Sequence, residues 1–505
     1  MKKKIVTILS IAFFFTSCNS WFDVTSSDEI REEDHYSTEI GFQQSLIGCY
    51  IAMAEDDLYG KNLSWYGLER LGHQFYPQIY AGSDAIPLDL HKFAYNSVDL
   101  LPFIEGIWAK AYNVIANANE ALKYIDEKQS IMDPINYHVI KGELLAIRAY
   151  MHFDLLRLYG YGNWEQRSSE LNNKYTIPYA LEISKEAPAQ VTGNEAIRFI
   201  LTDLTDAANL LREYDPVTQK HNFSEYANVN TDGFYNTRNL RLNYYAVKAL
   251  ESRVRLWEGS DSNKSKALDA AEEVIKAAEN DINMTENNQN IYTLKFLTPE
   301  TINSSTYNLT AEQLFGLSIQ NLDTKIKNYI KPYYTNNDSE VMYIEPETAN
   351  QVYENSTTDV RFTTLLDQSL TSSSLGYVPL KVYQPSTINQ YYKNKISMIR
   401  LPEVYYIAAE CCATGTPANL EKAMTYLNHV RQKRGLYEDL KNLDAPQIVN
   451  EIKKEYRKEF LSEGVMFYYY KRTGSLEIPY RSEIMEDKQY VLPYPTYEIQ
   501  SGRVQ

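Results

Sequence analysis

Apolar positions recur at helical spacing along most of this 505-residue chain and lose that spacing in two long stretches. Phe42, Leu46, Cys49 and Met53 lie four, three and four apart, which predicts a helix over 38–55 with one apolar face. Periodicity returns over 104–128. Asp133-Pro134 then supplies an N-cap and a rigid first turn for a helix that runs to Tyr159 and stops at Gly160, so these two helices should pair antiparallel. Thr192-Gly193-Asn194-Glu195 has capping-box spacing and opens a helix whose Ile197, Ile200, Leu201, Leu204 and Leu211 form a stripe. Two more helices are expected over 240–257 and 264–279, separated by Gly259 and a polar turn. Further on, Pro402 opens a helix closed by Gly415, Thr416-Pro417 opens the next, Gly435 closes it, and Asp444-Ala445-Pro446-Gln447 caps a last helix ending near Gly464. Residues 402–435 span about 34 positions, the length of a tetratricopeptide repeat, a helix hairpin that buries its apolar face by stacking on neighbours. The earlier pairs are longer, so the expectation is repeat-like hairpins and not a regular solenoid.

The two interruptions carry the candidate chemistry. Residues 56–100 mix six glycines and prolines with Trp65, Tyr66, Phe75, Tyr76 and Tyr80, and residues 280–399 are rich in Asn, Ser, Thr and Tyr with short β-like pieces such as 377–383. Irregular segments of that length inside a compact domain are uncommon and often functional. Trp65, Tyr66, Tyr80 and Asp84, Trp164 in the turn after Tyr159-Gly160, and Tyr333-Tyr334 are the candidate ligand-facing residues. The competing reading is that these rings plug the loops onto the helices. Composition sharpens this: 43 of the 65 aromatic residues are tyrosine, which supplies flat faces together with hydrogen-bonding hydroxyls.

The first residues read as an export signal. Lys2, Lys3 and Lys4 precede the apolar run 5–15, which as a helix would rise only about 16 Å, too short to span a bilayer. Cys18 directly follows the small residues Thr16 and Ser17, as at a bacterial lipoprotein cleavage site, so residues 1–17 are expected to be removed and Cys18 acylated, anchoring a soluble domain. A plain secretory signal is the alternative. The formal charge of −16 disfavours a polyanionic partner, so no nucleic-acid binding is expected. Cys49, Cys411 and Cys412 form no C-x-x-C and read as buried thiols.

Enzymatic signatures are weak. The seven histidines show no HExxH spacing, there is no G-x-S-x-G, and Gly160-x-Gly162 follows a helix and lacks a third glycine. Asp56-Asp57 and the pair Asp203 and Asp206 read as solvated charge, as do Glu451, Glu455 and Glu459 along one helical stripe among Lys454 and Lys458. Asn228-Val229-Asn230-Thr231-Asp232-Gly233 resembles half a calcium loop, but Asn228 and Asn239 stand where acidic ligands belong, so an Asn/Gly turn is expected and no metal or other cofactor.

Several blocks taken together resemble the SusD/RagB family of surface lipoproteins. These are Trp21-Phe22-Asp23-Val24 after Cys18, WAKAYNVIANANEAL (108–122), KGELLAIRAYMHFDLLRLYG (141–160), RLPEVYYIAAE (400–410), YLNHVRQKRG (426–435), EIKKEYRKEFLSEG (451–464) and YVLPYPTYEI (490–499). The resemblance runs the whole mature length, 18–505, with an N-terminal part of about 22–215 and a C-terminal part of about 280–505. It departs at Tyr456, Met466 and Tyr469, where relatives commonly carry charged residues, so aromatic packing should replace an ion-pair network there. The resemblance implies a mainly α fold of tetratricopeptide-like hairpins in a right-handed superhelical scaffold with long irregular loops and a few short strands. It also implies a lipid-anchored outer-membrane protein that binds oligosaccharide or peptide without catalysis and delivers it to a SusC-like TonB-dependent transporter. The alternatives are a glycan- or peptide-active hydrolase and a purely structural transporter subunit.

Overall fold

A computed structural model describes residues 32–504 apart from 78–84, 185–187, 287–288, 336–337, 339 and 371. The leader, Cys18, Tyr80 and Asp84 lie outside the described residues.

The helices form where the spacing predicts. They are α1 (Glu39–Met53), α2 (Leu101–Ile125), α3 (Pro134–Tyr159), α4 (Gly193–Tyr214), α5 (Tyr244–Glu258), α6 (Asp261–Ala278), α7 (Leu401–Thr414), α8 (Leu420–Lys433) and α9 (Ala445–Glu459). Phe42, Leu46, Cys49 and Met53 are all fully buried on α1. Asp133 caps α3 through Ile135 N, and Thr192 and Glu195 close a reciprocal capping box on α4, satisfying backbone donors that the first turn would otherwise leave open. Successive helices pack on one another, α1 on α2, α2 on α3, and so on to α7, which then receives both α8 and α9. That serial stacking is the repeat-like architecture expected, because each hairpin covers the apolar stripe of the one before it.

Three differences have physical causes. α8 starts three residues after Thr416-Pro417, because Asn419 and not the proline supplies the cap, accepting from Lys422 N. α9 ends at Glu459, short of Gly464, whose φ of +70° is a turn conformation. The 377–383 piece forms the isolated bridges Ile344↔Tyr377 and Leu366↔Pro379, while the strands of the described residues lie in three two-stranded antiparallel sheets elsewhere, among them Gln313–Ser318 with Lys395–Arg400.

The α9 carboxylates are not a solvated stripe. Glu455 and Glu459 are fully buried. Glu459 accepts from Arg434 Nε at 2.9 Å and from Arg400 Nη1 at 2.7 Å, Glu455 accepts from Arg361 Nη1 at 2.7 Å, and Glu312 joins Arg434 at 2.6 Å. A four-residue spacing of carboxylates suits a solvated face and a buried ladder equally; the arginines that decide between them come from 24 to 98 positions away. Asp203 is likewise buried, held in a two-pronged pair by Arg148 at 2.8 and 2.6 Å, while Asp206 is exposed. Tyr456 packs among rings, 4.7 Å from Tyr469 and 5.3 Å from Tyr406, the aromatic packing expected at these positions, and this cluster stands beside the ion-pair network of Glu455 and Glu459.

Among the described residues no helix is long and apolar enough to cross a membrane. Cys49, Cys411 and Cys412 are buried free thiols, and burial pushes the Cys49 thiol up to about 12 and that of Cys412 to about 11.

Candidate functional site

The two irregular regions meet. The first docks on the second through a chain of rings: Trp65 lies edge-on to Tyr66 and 5.6 Å from Tyr329, Tyr66 is 5.1 Å from Tyr329, and Lys61 Nζ sits 4.3 Å above the Tyr66 ring. Further along, Tyr76 stacks on Tyr343 at 5.5 Å and Tyr343 on Tyr334 at 5.8 Å, while Tyr76 N donates to Tyr343 O at 2.9 Å. These contacts bring Tyr76 alongside residues 329–343.

Burial sorts the candidates. Trp65, Tyr66 and Tyr334 are at most 3% exposed, so they are packing residues that present no ring face to a ligand. Trp65 Nε1 donates to Gly60 O at 3.0 Å, closing its own loop. The Tyr334 hydroxyl donates to Gly376 O at 3.1 Å and accepts from Leu375 N at 2.8 Å and Gly376 N at 2.6 Å, so it pins the 375–376 turn. Trp164 is buried at the start of helix Trp164–Leu171; it donates to Tyr161 O at 3.0 Å and lies so close to Gly193 that an added Cβ there would sit 2.4 Å from the indole. For these four the loop-plugging role holds, because a large ring in a long loop gains more from burial than from exposure.

Tyr333 is the reverse: 70% exposed, at a φ of +59°. Asp367 holds it there, with Oδ2 accepting from Tyr333 N at 3.1 Å and Oδ1 accepting from Ser369 N at 3.0 Å. Asp367 itself is fixed by its amide, which donates to Val378 O at 2.8 Å. Tyr307 and Tyr383, both half-buried, share this patch; burial raises the Tyr307 phenol, and the nearby Asp367, Tyr333 and Tyr383 raise it further. Three tyrosines within electrostatic reach of one carboxylate thus make up a candidate platform, contributed by segments near 307, 333, 367 and 383. Rings of this kind stack on flat apolar faces while hydroxyls and the carboxylate bond polar edges. The sequence singles out Tyr333 as a candidate but not Tyr307, Tyr383 and Asp367, which share no periodic signal and are joined only by the fold.

A second concavity of about 800 Å³ lies between residues 93–97, Tyr161 and residues 487–494. Tyr161 and Tyr494 give it rings, and Asn96, Asp487 and Gln489 give it polar edges. The Asn228–Gly233 stretch is a turn built by Asn230, whose Oδ1 accepts from Tyr235 N at 2.7 Å, and buried Asn239 donates to the Thr293 and Gln313 carbonyls.

Comparison with known proteins fits this architecture. A family profile described as "SusD family" matches residues 223–504, and one described as "Starch-binding associating with outer membrane" matches residues 21–230. A SusD superfamily protein from Bacteroides thetaiotaomicron is 24% identical with a TM-score of 0.67, covering 93% of this chain and 99% of its own. A SusD superfamily protein from Bacteroides vulgatus is 20% identical with a TM-score of 0.69, covering 93% and 98%. A SusD-like carbohydrate binding protein from the same species is 16% identical with a TM-score of 0.67, covering 92% and 96%. No protein of curated function matches. With its profile match over more than half the chain and helical hairpins like those of the solved relatives, the chain belongs to the SusD family.

Proposed function

We propose that this protein is a surface-exposed lipoprotein that captures an oligosaccharide or polysaccharide on its loop-bearing face and hands it, chemically unchanged, to a SusC-like TonB-dependent transporter in the outer membrane. The observation that carries the reading is Tyr333, an exposed ring held by the buried Asp367 beside Tyr307 and Tyr383. Keeping a large ring in water at a left-handed backbone position is unfavourable for folding alone. Family membership and the carbohydrate-binding description of one solved relative support a glycan over a peptide. Cys18 supplies the acyl anchor in this account, and the transporter is the partner.

The test is a calorimetric titration of residues 19–505 against a panel of oligosaccharides and peptide mixtures, with each ligand recovered and sized afterwards. Saturable binding of an intact glycan supports the reading. Saturable peptide binding changes the ligand class, and a shortened ligand replaces the reading with a hydrolase.

A further inference from the structure

Away from the loop-bearing platform, α1 leaves one face uncovered. Ile40, Ile47 and Ile51 fall on a single stripe and are 60%, 37% and 63% exposed. They form one wall of a trench of about 820 Å³ whose other wall is the 232–241 segment and the end of strand Gln313–Ser318, with Phe234, Leu240 and Leu317 facing in. Gly48 opens onto it with nothing within 4 Å of an added Cβ.

Arg241 lines the same trench while only 6% exposed. Its guanidinium lies 4.5 Å from the Phe234 ring and 5.1 Å from that of Tyr50, and Nε donates to Glu143 at 2.8 Å. Glu143 also accepts from Arg238 Nη1 at 2.6 Å and from the Tyr50 hydroxyl at 2.5 Å, and it meets Arg241 through Nε alone. Nη2 of Arg241 therefore has no hydrogen-bond partner among the described residues, and a buried cationic donor left this way is costly. An apolar trench with an arginine short of an acceptor calls for an occupant that brings apolar side chains and a carboxylate together.

The chain carries such a segment close by. Residues 19–31 lie outside the described residues and join them at Glu32, seven positions before α1 begins; they contain Trp21-Phe22-Asp23. From Ile40 to Ile51 the trench runs about 16 Å along α1. The nine residues from Asp23 to Glu32 reach roughly 30 Å when extended, ample to run back along it. We propose that residues 19–31 dock in this trench antiparallel to α1, with Trp21 and Phe22 covering the isoleucine stripe and the Asp23 carboxylate accepting from Arg241. Cys18 then leaves the molecule at a fixed place beside α1. The docking itself does not depend on acylation; its consequence, a fixed orientation of the loop-bearing face relative to the membrane, rests on the lipoprotein reading above.

Hydrogen exchange read by mass spectrometry on the 19–505 chain tests the docking without any lipid. Amides over 21–25 are expected to exchange at least tenfold more slowly than in a synthetic peptide of residues 19–31. Asp23→Asn should speed them several-fold, and the double variant Ile47→Asp with Ile51→Asp should return them to the peptide rate while α3 exchanges as before. Both isoleucines are solvent-accessible, so the fold is expected to survive, and the α3 signal verifies it. Peptide-rate exchange in the unmodified chain, or protection indifferent to the double variant, overturns the proposal. Protection that vanishes on dilution assigns the trench to a second copy of the chain and overturns it equally.

Discussion

Arg361 Nη1 donates to Glu455 Oε2 at 2.7 Å with both side chains buried, and six residues past Arg361 the chain reaches Asp367, which holds Tyr333. The ion pair thus ties the platform-bearing loop to α9. Arg361 also clasps Asp359 at 2.9 and 2.7 Å, so the segment leading to Asp367 is fixed at its root. Glu455→Gln removes one charge from a desolvated set and leaves Arg361 and Arg431 undercompensated. It should cost about 3–5 kcal/mol, read as a lower denaturant midpoint, and it should weaken ligand binding although residue 455 touches no ligand.

Acid should unfold the protein through the same network. Burial works against ionisation of Glu455, yet Arg361, Lys458 and Arg431 outweigh it and hold the carboxyl at about 2, down from 4.5; Glu459 is also held well below its ordinary value, by Arg434 and Arg400 against the same burial. A carboxylate with a depressed folded pKa binds its proton first in the unfolded chain, so its contribution is fully present above about pH 4.5 and is lost as pH falls towards about 2. Melting temperature measured across that window should fall steeply, and the fall should be shallower in Glu455→Gln.

Two aromatic substitutions should separate binding from packing. Tyr333→Ala removes an exposed ring and should leave the melting temperature nearly unchanged while weakening glycan binding roughly 3- to 10-fold, the equivalent of about 0.5–1.5 kcal/mol for one ring contact. Trp65→Ala empties a fully buried site and should cost about 3–5 kcal/mol of stability. Titration calorimetry and thermal unfolding on the same preparations distinguish them.

Much of the scaffold was legible in the sequence because it is local. Asp133, Thr192 and Asp444 cap their helices as their spacing predicts, and the buried stripe of α1 falls where four apolar positions placed it. The platform was legible only in part. Sequence marks 280–399 as irregular and tyrosine-rich, but whether a loop tyrosine faces water is decided by its partners: adjacent Tyr333 and Tyr334 differ because only Tyr334 can reach the 375–376 turn. The α9 carboxylates were misread for the same reason, since their arginines lie on other elements.

Anchoring is checked independently of binding. Cys18→Ser should move the mature protein from the membrane fraction to the soluble one, because no described helix replaces the acyl chains. Labelling with a palmitate analogue should be lost in parallel.

The central claim, capture on the Tyr333 platform, is tested most directly by hydrogen exchange of residues 19–505 with and without a saturating oligosaccharide chosen from the titration panel. Ligand-dependent protection is expected over residues 305–310, 329–335, 365–370 and 381–385, together with loss of that protection in Tyr333→Ala. Protection confined to the concavity between residues 93–97 and 487–494, with the tyrosine platform unchanged, would contradict it.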